Sequence, residues 1–214
     1  MNGLSEKNPI KPISDGSFYA IIDIMENIFS LSDPFKIQLR HILFEASYRK
    51  GSNILNAGAK QSNSWFVLDG ILQEISVDKY TFTTKTKWFW FKHNFVYAMP
   101  GFFDQEPSHI TINVVKDCKV VLFSYENWKI LKDTFPEVNK LTEMIRSNYE
   151  MSRKLHLNEI NELNTVDRYL KHESEIDQLF TCIQLKYIAE FMGMSTDTLG
   201  KLRRRLIKHK QHLV

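Results

Sequence analysis

The residues best placed to do chemistry lie near the C-terminal end of the sequence. After Asp197 no acidic side chain occurs, while Lys201, Arg203, Arg204, Arg205, Lys208 and Lys210 follow in close succession. Such a cluster suits a polyanionic backbone, because each phosphate it neutralises releases counterions and adds salt-dependent affinity. Catalytic constellations are missing by comparison. No Gly-rich phosphate loop, G-x-S-x-G elbow or H-E-x-x-H motif occurs. Asp104 and Glu106 are close neighbours, but a carboxylate pair on a loop more often solvates it than works as acid and base. Between residues 46 and 125 the histidines are His93 and His109, well separated, where a metalloenzyme barrel needs clustered ligands. Cys118 and Cys182 lack ligand-like neighbours and cannot build a zinc or iron–sulfur centre. No catalytic residue, no metal and no cofactor is expected, and an enzyme is not the reading.

The element that must position the basic cluster is the stretch 183–205, where two short apolar-periodic segments flank one glycine and read as a helix-turn-helix. With the first helix starting at Leu185, Ala189 falls where two helices cross closely. Gly193 falls at the turn, where a positive φ costs glycine nothing. Ile188, Met192, Leu199 and Leu202 point inward at helical spacing. Ser195 is a good N-cap for the second helix, and Asp197 in its first turn suits the helix dipole. Thr196, Asp197, Gly200, Lys201 and Arg204 fall on the opposite face. The plainer alternative is a helical hairpin with a solvated basic face.

A chain of 214 residues, 43% hydrophobic and 25% charged, can bury a sizeable core in one or two domains. The net charge of +3 is small, so the basic tail is a local feature. Two isolated thiols, no signal-like N-terminus and no apolar run near the ~18 residues of a membrane span predict a cytoplasmic protein without membrane attachment.

Along the chain, residues 1–16 read as poorly structured. Amphipathic helices follow over Phe18–Phe29 and from Ser32-Asp33-Pro34 through Ile37, Leu39, Ile42 and Leu43, with Pro34 at the first helical position. From Ala46 to Tyr125 the pattern shifts to seven or eight short strands. These are Ser47–Lys50, Asn53–Asn56, Trp65–Leu68, Ile71–Val77, Tyr80–Thr86, Trp88–Phe91, His109–Val115 and Val120–Ser124, with Asp69-Gly70 reading as a hairpin turn. This predicts a jelly roll or barrel. The run Trp88-Phe89-Trp90-Phe91 reads as a strand covered on both faces. Tyr125–Thr134 is a short helix, and Pro136 opens a helix of about 27 residues and ~40 Å. Its interrupted stripe (Val138, Leu141, Ile145, Tyr149, Ser152) fits pairing with a second copy, packing along the barrel, or both. Thr165–Phe180 adds another helix capped by Thr165. The fold class is therefore α+β: N-terminal helices and an antiparallel β-roll over 1–135, a long connecting helix over 136–163, and a helix-turn-helix module over 164–214.

With these pieces in place the chain resembles the Crp–Fnr family of bacterial transcription regulators. The resemblance is carried by I-A-E-F-M-G-M-S-T-D-T-L-G-K-L-R at 188–203 and V-D-R-Y-L at 166–170. F-F-D-Q-E-P-S-H-I-T-I at 102–112 is similar to a divergent branch found in Bacteroidetes-type genomes. The resemblance implies a cyclic-nucleotide-binding-type β-roll, and a homodimer on double-stranded DNA at a pseudo-palindromic site. It also implies RNA polymerase as a partner. It places Thr196, Asp197 and Lys201 at the base edges, with Ser195, Arg203, Arg204 and Arg205 beside them. Where the family's nucleotide binders carry Arg-Ser, this chain has Pro107-Ser108, and their Gly-Glu pair has no counterpart. No arginine occurs between Arg49 and Arg146, so cyclic AMP binding in the family's manner is not expected. The roll then either holds an unknown apolar ligand, lined by Phe102, Phe103, Ser108 and Tyr149, or is filled by side chains. About eight residues follow Leu206, so the family's wing hairpin is expected to be reduced or absent, with His209, Lys210 and His212 extending the helix or contacting phosphates. The competing reading is a sensor or protein-interaction module whose helix-turn-helix is vestigial.

Overall fold

The computed structural model describes residues 9–211 other than Lys79 and Phe82. Strands β1 (Lys11–Pro12), β2 (Phe44–Tyr48), β3 (Asn53–Leu55), β4 (Asn63–Val77), β5 (Thr84–Trp90), β6 (Phe95–Val96) and β7 (Ile110–Ser124) form one antiparallel sheet. Its main path is β1-β2-β7-β4-β5, with β3 on β7 and β6 on β4. Helices α1 (Asp15–Ile28) and α2 (Asp33–Ile42) precede β2. Helices α3 (Tyr125–Thr134), α4 (Pro136–Glu162), α5 (Thr165–Lys171), α6 (Glu173–Phe180), α7 (Leu185–Phe191) and α8 (Thr196–Gln211) follow β7. Residues 1–8 and 212–214, His212 among them, lie outside the described residues.

The sheet has seven strands, within the seven or eight expected, but two of them are longer than the sequence suggests. Asp69-Gly70 does not turn a hairpin. It lies inside β4, where the register against β7 shifts three times between Val67 and Leu72. Gly70 has φ +97, and a Cβ there would stand 2.4 Å from the Asp117 carbonyl oxygen. It therefore marks a bulge that bends two 15-residue strands as a pair. The β5 region also differs: the Asp78 carboxylate accepts from the amides of Tyr80 and Thr81, and the strand begins only at Thr84. At the other end, Phe89 and Trp90 are buried and Trp88 and Phe91 partly so, as expected of a strand covered on both faces.

Helices α3 and α4 match the sequence reading, while other details change. Lys11 and Pro12 pair with β2 where loose chain was expected. Pro34 is the second residue of α2, and Ile37 is exposed while Phe35 and Leu39 carry the core. The helix expected over Thr165–Phe180 breaks at His172, and Asn164 is its cap, accepting from the Val166 and Asp167 amides.

Three cores hold the molecule. α1 and α2 pack with Leu131, Val138 and Leu141 against one end of the sheet. Trp65, Val67, Leu72, Trp90, Ile112 and Val120 fill the roll. Ile71, Phe89 and Val115 from the sheet join Tyr169, Ile176, Ile188, Met192, Leu199 and Leu202 in a third. The inner stripe of α4 thus packs along its own roll. Among the described residues no helix is long and apolar enough to cross a membrane.

Glu45 of β2 ties the first core to the sheet. Its side chain is 1% exposed, accepts from the Ser14 amide at 2.9 Å and the Ser14 hydroxyl, and faces Lys119 Nζ at 3.2 Å. Burial alone pushes its carboxyl up, but the donors on Ser14, Ser17 and Lys119 outweigh burial and bring it from 4.5 down to about 2. A lowered folded value means stability that is present above pH 4.5 and lost as the pH falls towards 2. Glu45→Gln is expected to cost on the order of 2 kcal/mol at neutral pH and to flatten the acid limb of urea-unfolding free energy over that window. An unchanged acid limb in the variant would refute this assignment.

Candidate nucleic-acid interface

α7 ends in a Schellman motif. The Met194 amide donates to the Ala189 carbonyl at 3.0 Å, and the Gly193 amide donates to Glu190 at 3.3 Å. Gly193 holds φ +59, and a Cβ on it would meet Ile160 Cγ2 at 2.7 Å. The turn therefore needs glycine twice, for its backbone and for the side chain from α4 packed against it. Ser195 caps α8, its Oγ accepting from the Thr198 amide at 3.0 Å. Ile188, Ala189, Met192, Leu199 and Leu202 are all buried, as their spacing predicts.

The opposite face of α8 is open. Ser195, Thr196, Asp197, Lys201, Arg203, Arg204 and Arg205 are all exposed. At 100° per residue, Asp197 and Arg204 stand at the centre of this face, with Arg203 and Arg205 on its two flanks. Lys201 and Asp197 pair at 2.7 Å, an exposed i,i+4 contact that water weakens. Arg204 Nε donates to the Gly200 carbonyl at 3.3 Å. The Arg203 guanidinium, exposed like its neighbours, lies 3.9 Å over the Phe180 ring of α6. Beyond Leu206 the backbone remains helical to Gln211, so His209 and Lys210 fall on that extension.

A buried arginine governs how this unit is attached. Arg168, 3% exposed, donates from Nη1 to the carbonyls of Glu159, Ile160 and Leu163, at the end of α4, at 3.1, 2.7 and 3.1 Å. Its Nη2 donates to the Gly193 carbonyl at 3.3 Å. It is the arginine of the V-D-R-Y-L segment, and its planar fork is what lets one side chain reach two elements. The unit also docks on the sheet. Glu190 accepts from the Thr86 amide at 2.8 Å, and Phe191 packs against Phe89 at 5.3 Å and against Trp88 at 5.7 Å.

The four residues expected to line a ligand pocket in the roll do not meet as one site. Phe102 is fully buried against Phe123, Tyr125 and Trp128. Ser108 spends its polar atoms locally: Oγ donates to the Ile110 carbonyl at 2.9 Å, and its amide donates to Ala59 at 2.9 Å. Tyr149 stacks on Trp90 at 4.5 Å, and Tyr97 stands between it and Phe103 at 5.2 and 5.0 Å. Phe103 borders a cavity of about 40 Å³ and Tyr149 another of about 180 Å³. Nor is the roll without arginine, because α4 delivers two. Arg153 pairs with the buried Glu74 of β4, to which Tyr149 Oη also donates at 3.2 Å, and Arg146 lies over Phe103 at 5.2 Å. The strands carry no arginine between Arg49 and Arg146, and the fold brings two in from a distant helix.

Sequence reasoning also passed over a cluster at the junction of α4 and α6. His156, Glu159 and His172 can each present a ligand atom, all within 4.8 Å of one another. The readable signal was H-x-x-E, three residues apart and so on one helix face, with a further histidine at a helix break.

Two substitutions test the attachment. Arg168→Met strands the carbonyls it serves and is expected to lower urea-unfolding stability by about 3 kcal/mol. Gly193→Ala is expected to cost roughly 2 kcal/mol from its positive φ and the Ile160 contact. Wild-type midpoints in both variants would contradict the geometry.

No protein-family model matches this chain, and no curated protein matches it in sequence. Solved structures do match. FixK2 from Bradyrhizobium japonicum is similar over 79% of this chain and 86% of its own, at 15% identity and a TM-score of 0.65. A transcriptional regulator of the Crp/Fnr family from Eubacterium rectale is similar over 84% of this chain and 85% of its own, at 17% identity and a TM-score of 0.62. A cyclic nucleotide-binding domain from Methylobacillus flagellatus covers 71% of this chain and 86% of its own, at 14% identity and a TM-score of 0.61. At such identities the likeness is one of fold: this chain has the architecture of Crp/Fnr-family regulators, a cyclic-nucleotide-binding-type β-roll with a long helix and a C-terminal helical module.

Proposed function

We propose that this chain is a homodimeric, sequence-specific DNA-binding transcription regulator of the Crp–Fnr type that does not respond to cyclic AMP. The observation that carries the reading is the pair α7–α8: a glycine turn with positive φ, a capped second helix, a buried inner stripe, and an exposed face bearing Thr196, Asp197, Lys201 and Arg204. An α-helix with one apolar and one polar, cationic face is what the major groove accepts. Thr196, Asp197 and Lys201 are the base-reading set, with Lys201 donating to guanine and Asp197 accepting from cytosine. Their mutual ion pair holds both near the helix until a base edge replaces it. Ser195, Arg204 and Arg205 serve phosphates, and Arg203 braces α8 on Phe180.

The working divisions are 1–135 for the roll and its helices, 136–163 for the long helix and 164–214 for the DNA-binding module. The long helix joins two copies. Its inner stripe is taken by the roll, but Met151 and Leu155, 54% and 52% exposed, lie outward one turn apart. With Asn148 and Asn158 they give a heptad-like seam in which asparagine sets register. Two copies joined there present two α8 helices to successive major grooves about 34 Å apart. The lack of response to cyclic AMP is supported by the local use of Ser108 and by Glu74, a buried carboxylate that would oppose a cyclic phosphate and already holds Arg153.

Binding to genomic fragments at several salt concentrations tests the reading. Selected sequences and a steep salt dependence are expected, with the slope reduced by about one on Arg204→Ala and the base preference relaxed on Lys201→Ala. Binding that is absent or indifferent to sequence would favour the sensor reading. Met151→Glu with Leu155→Glu is expected to yield monomers by sedimentation. Saturating cyclic AMP is expected to leave the thermal midpoint unchanged, and a clear upward shift would overturn that part.

A further inference from the structure

His156 is 6% exposed, and its Nε2 lies 2.9 Å from the Phe191 carbonyl oxygen. A carbonyl can only accept, so Nε2 carries the proton and Nδ1 keeps its lone pair. That Nδ1 is buried without a hydrogen-bond partner, a costly state for a polar atom. His172 faces two carboxylates, with Nε2 2.6 Å from Glu159 Oε2 and Nδ1 3.7 Å from Glu175 Oε2. The other Glu159 oxygen is held by Lys171 at 2.6 Å. The two imidazole centroids are 5.3 Å apart with the rings nearly perpendicular. All four groups border one cavity of about 520 Å³ between β5, α4 and α6, with Trp88 and Phe91 on its wall.

We propose that His156, His172 and Glu159 form a binding site for a zinc-class divalent metal ion, pinning the long helix to the start of the C-terminal module. Two imidazoles and one carboxylate make a set that zinc accepts with its fourth position left to water. His156 has the outer partner such ligands use, a backbone carbonyl, and the Glu175 carboxylate stands 3.7 Å from His172 Nδ1. Zinc–ligand distances of about 2.0–2.2 Å put ligand atoms roughly 3.4 Å apart in a tetrahedron. Here the three fit within 4.8 Å, so rotamer adjustments of about an ångström close the site. Metal entry displaces the proton shared by His172 and Glu159, which goes to solvent. Burial pushes the His156 imidazolium down and so favours the neutral ring that a metal needs. The site does not depend on the DNA-binding reading.

The test is titration of tag-free, chelator-treated full-length protein with Co²⁺ and then Zn²⁺. One Co²⁺ per chain is expected, with the visible bands of a four-coordinate ion, bleached by Zn²⁺, and Zn²⁺ is expected to raise the thermal midpoint. Glu159→Gln and His172→Gln, each checked for wild-type far-UV dichroism, are expected to weaken binding by more than about 100-fold, beyond the usual cost of losing an outer partner. His209→Gln with His212→Gln is expected to leave it intact. In wild-type protein, imidazole nitrogen resonances of His156 and His172 should move on Zn²⁺ addition while those of His41, His93 and His109 stay. Absent stoichiometric binding, binding that survives both ligand substitutions, or binding lost in the tail variant would each overturn the proposal.

Discussion

The Arg168 guanidinium is the constraint on which the rest of the C-terminal half depends. A long helix ends with unpaired carbonyls and a partial negative charge. Arg168 meets three of the carbonyls closing α4 and reaches across to the carbonyl of Gly193. One cation therefore terminates the long helix and fixes the turn between α7 and α8. Ile160, on the same last turn of α4, fills the space a side chain at position 193 would need. Where α8 points is thus decided by the end of α4, not by the short segment that α8 follows.

The sheet supplies a second attachment. Phe191 stacks on His156 at 4.2 Å and meets Phe89 and Trp88 edge-on. The third core contains sheet residues and helix-turn-helix residues together, so there is apolar continuity from the roll to α8. Such continuity favours a body whose parts move together, because a shear between the roll and the helices would open dense aromatic packing. The bulge at Gly70 contributes at a distance, since it bends β4 so that Ile71 faces this core while Leu72 faces the interior.

Legibility in the sequence followed the range of the interactions. The turn, its cap and the inner stripe of α7–α8 were readable because each rests on residues within one or two turns of one another. The boundary between α3 and α4 was readable from Pro136 alone. Strand continuity was not, because Asp69-Gly70 has the same local signature in a hairpin as in a bulge. Only the 15-residue partner β7 decides between them. The break at His172 was hidden for a similar reason, as the ring is held by Glu159 from another helix. The roll interior was legible only as a choice between two readings, lined or filled. Phe102, Phe103 and Tyr149 were rightly placed as interior, yet interior aromatic residues fill space as readily as they line it.

That filling changes what the roll can contribute. Arg153 and Tyr149 form a polar network around the buried Glu74 carboxylate, in which the cation comes from α4 and the anion from β4. Arg153 also lies over the rings of Tyr149 and Trp88, at 4.6 and 5.4 Å. A ligand entering here would have to part a charge pair in low dielectric, at a cost of several kcal/mol before its own contacts form. The same network ties α4 to the sheet one helical turn before His156 reaches Phe191. The long helix is therefore held by a polar contact inside the roll, an aromatic contact at the seam and the Arg168 cap at its end. A turn of the C-terminal part of α4 would disturb all three. The seam is the most accessible of them, since it opens onto the cavity between β5, α4 and α6.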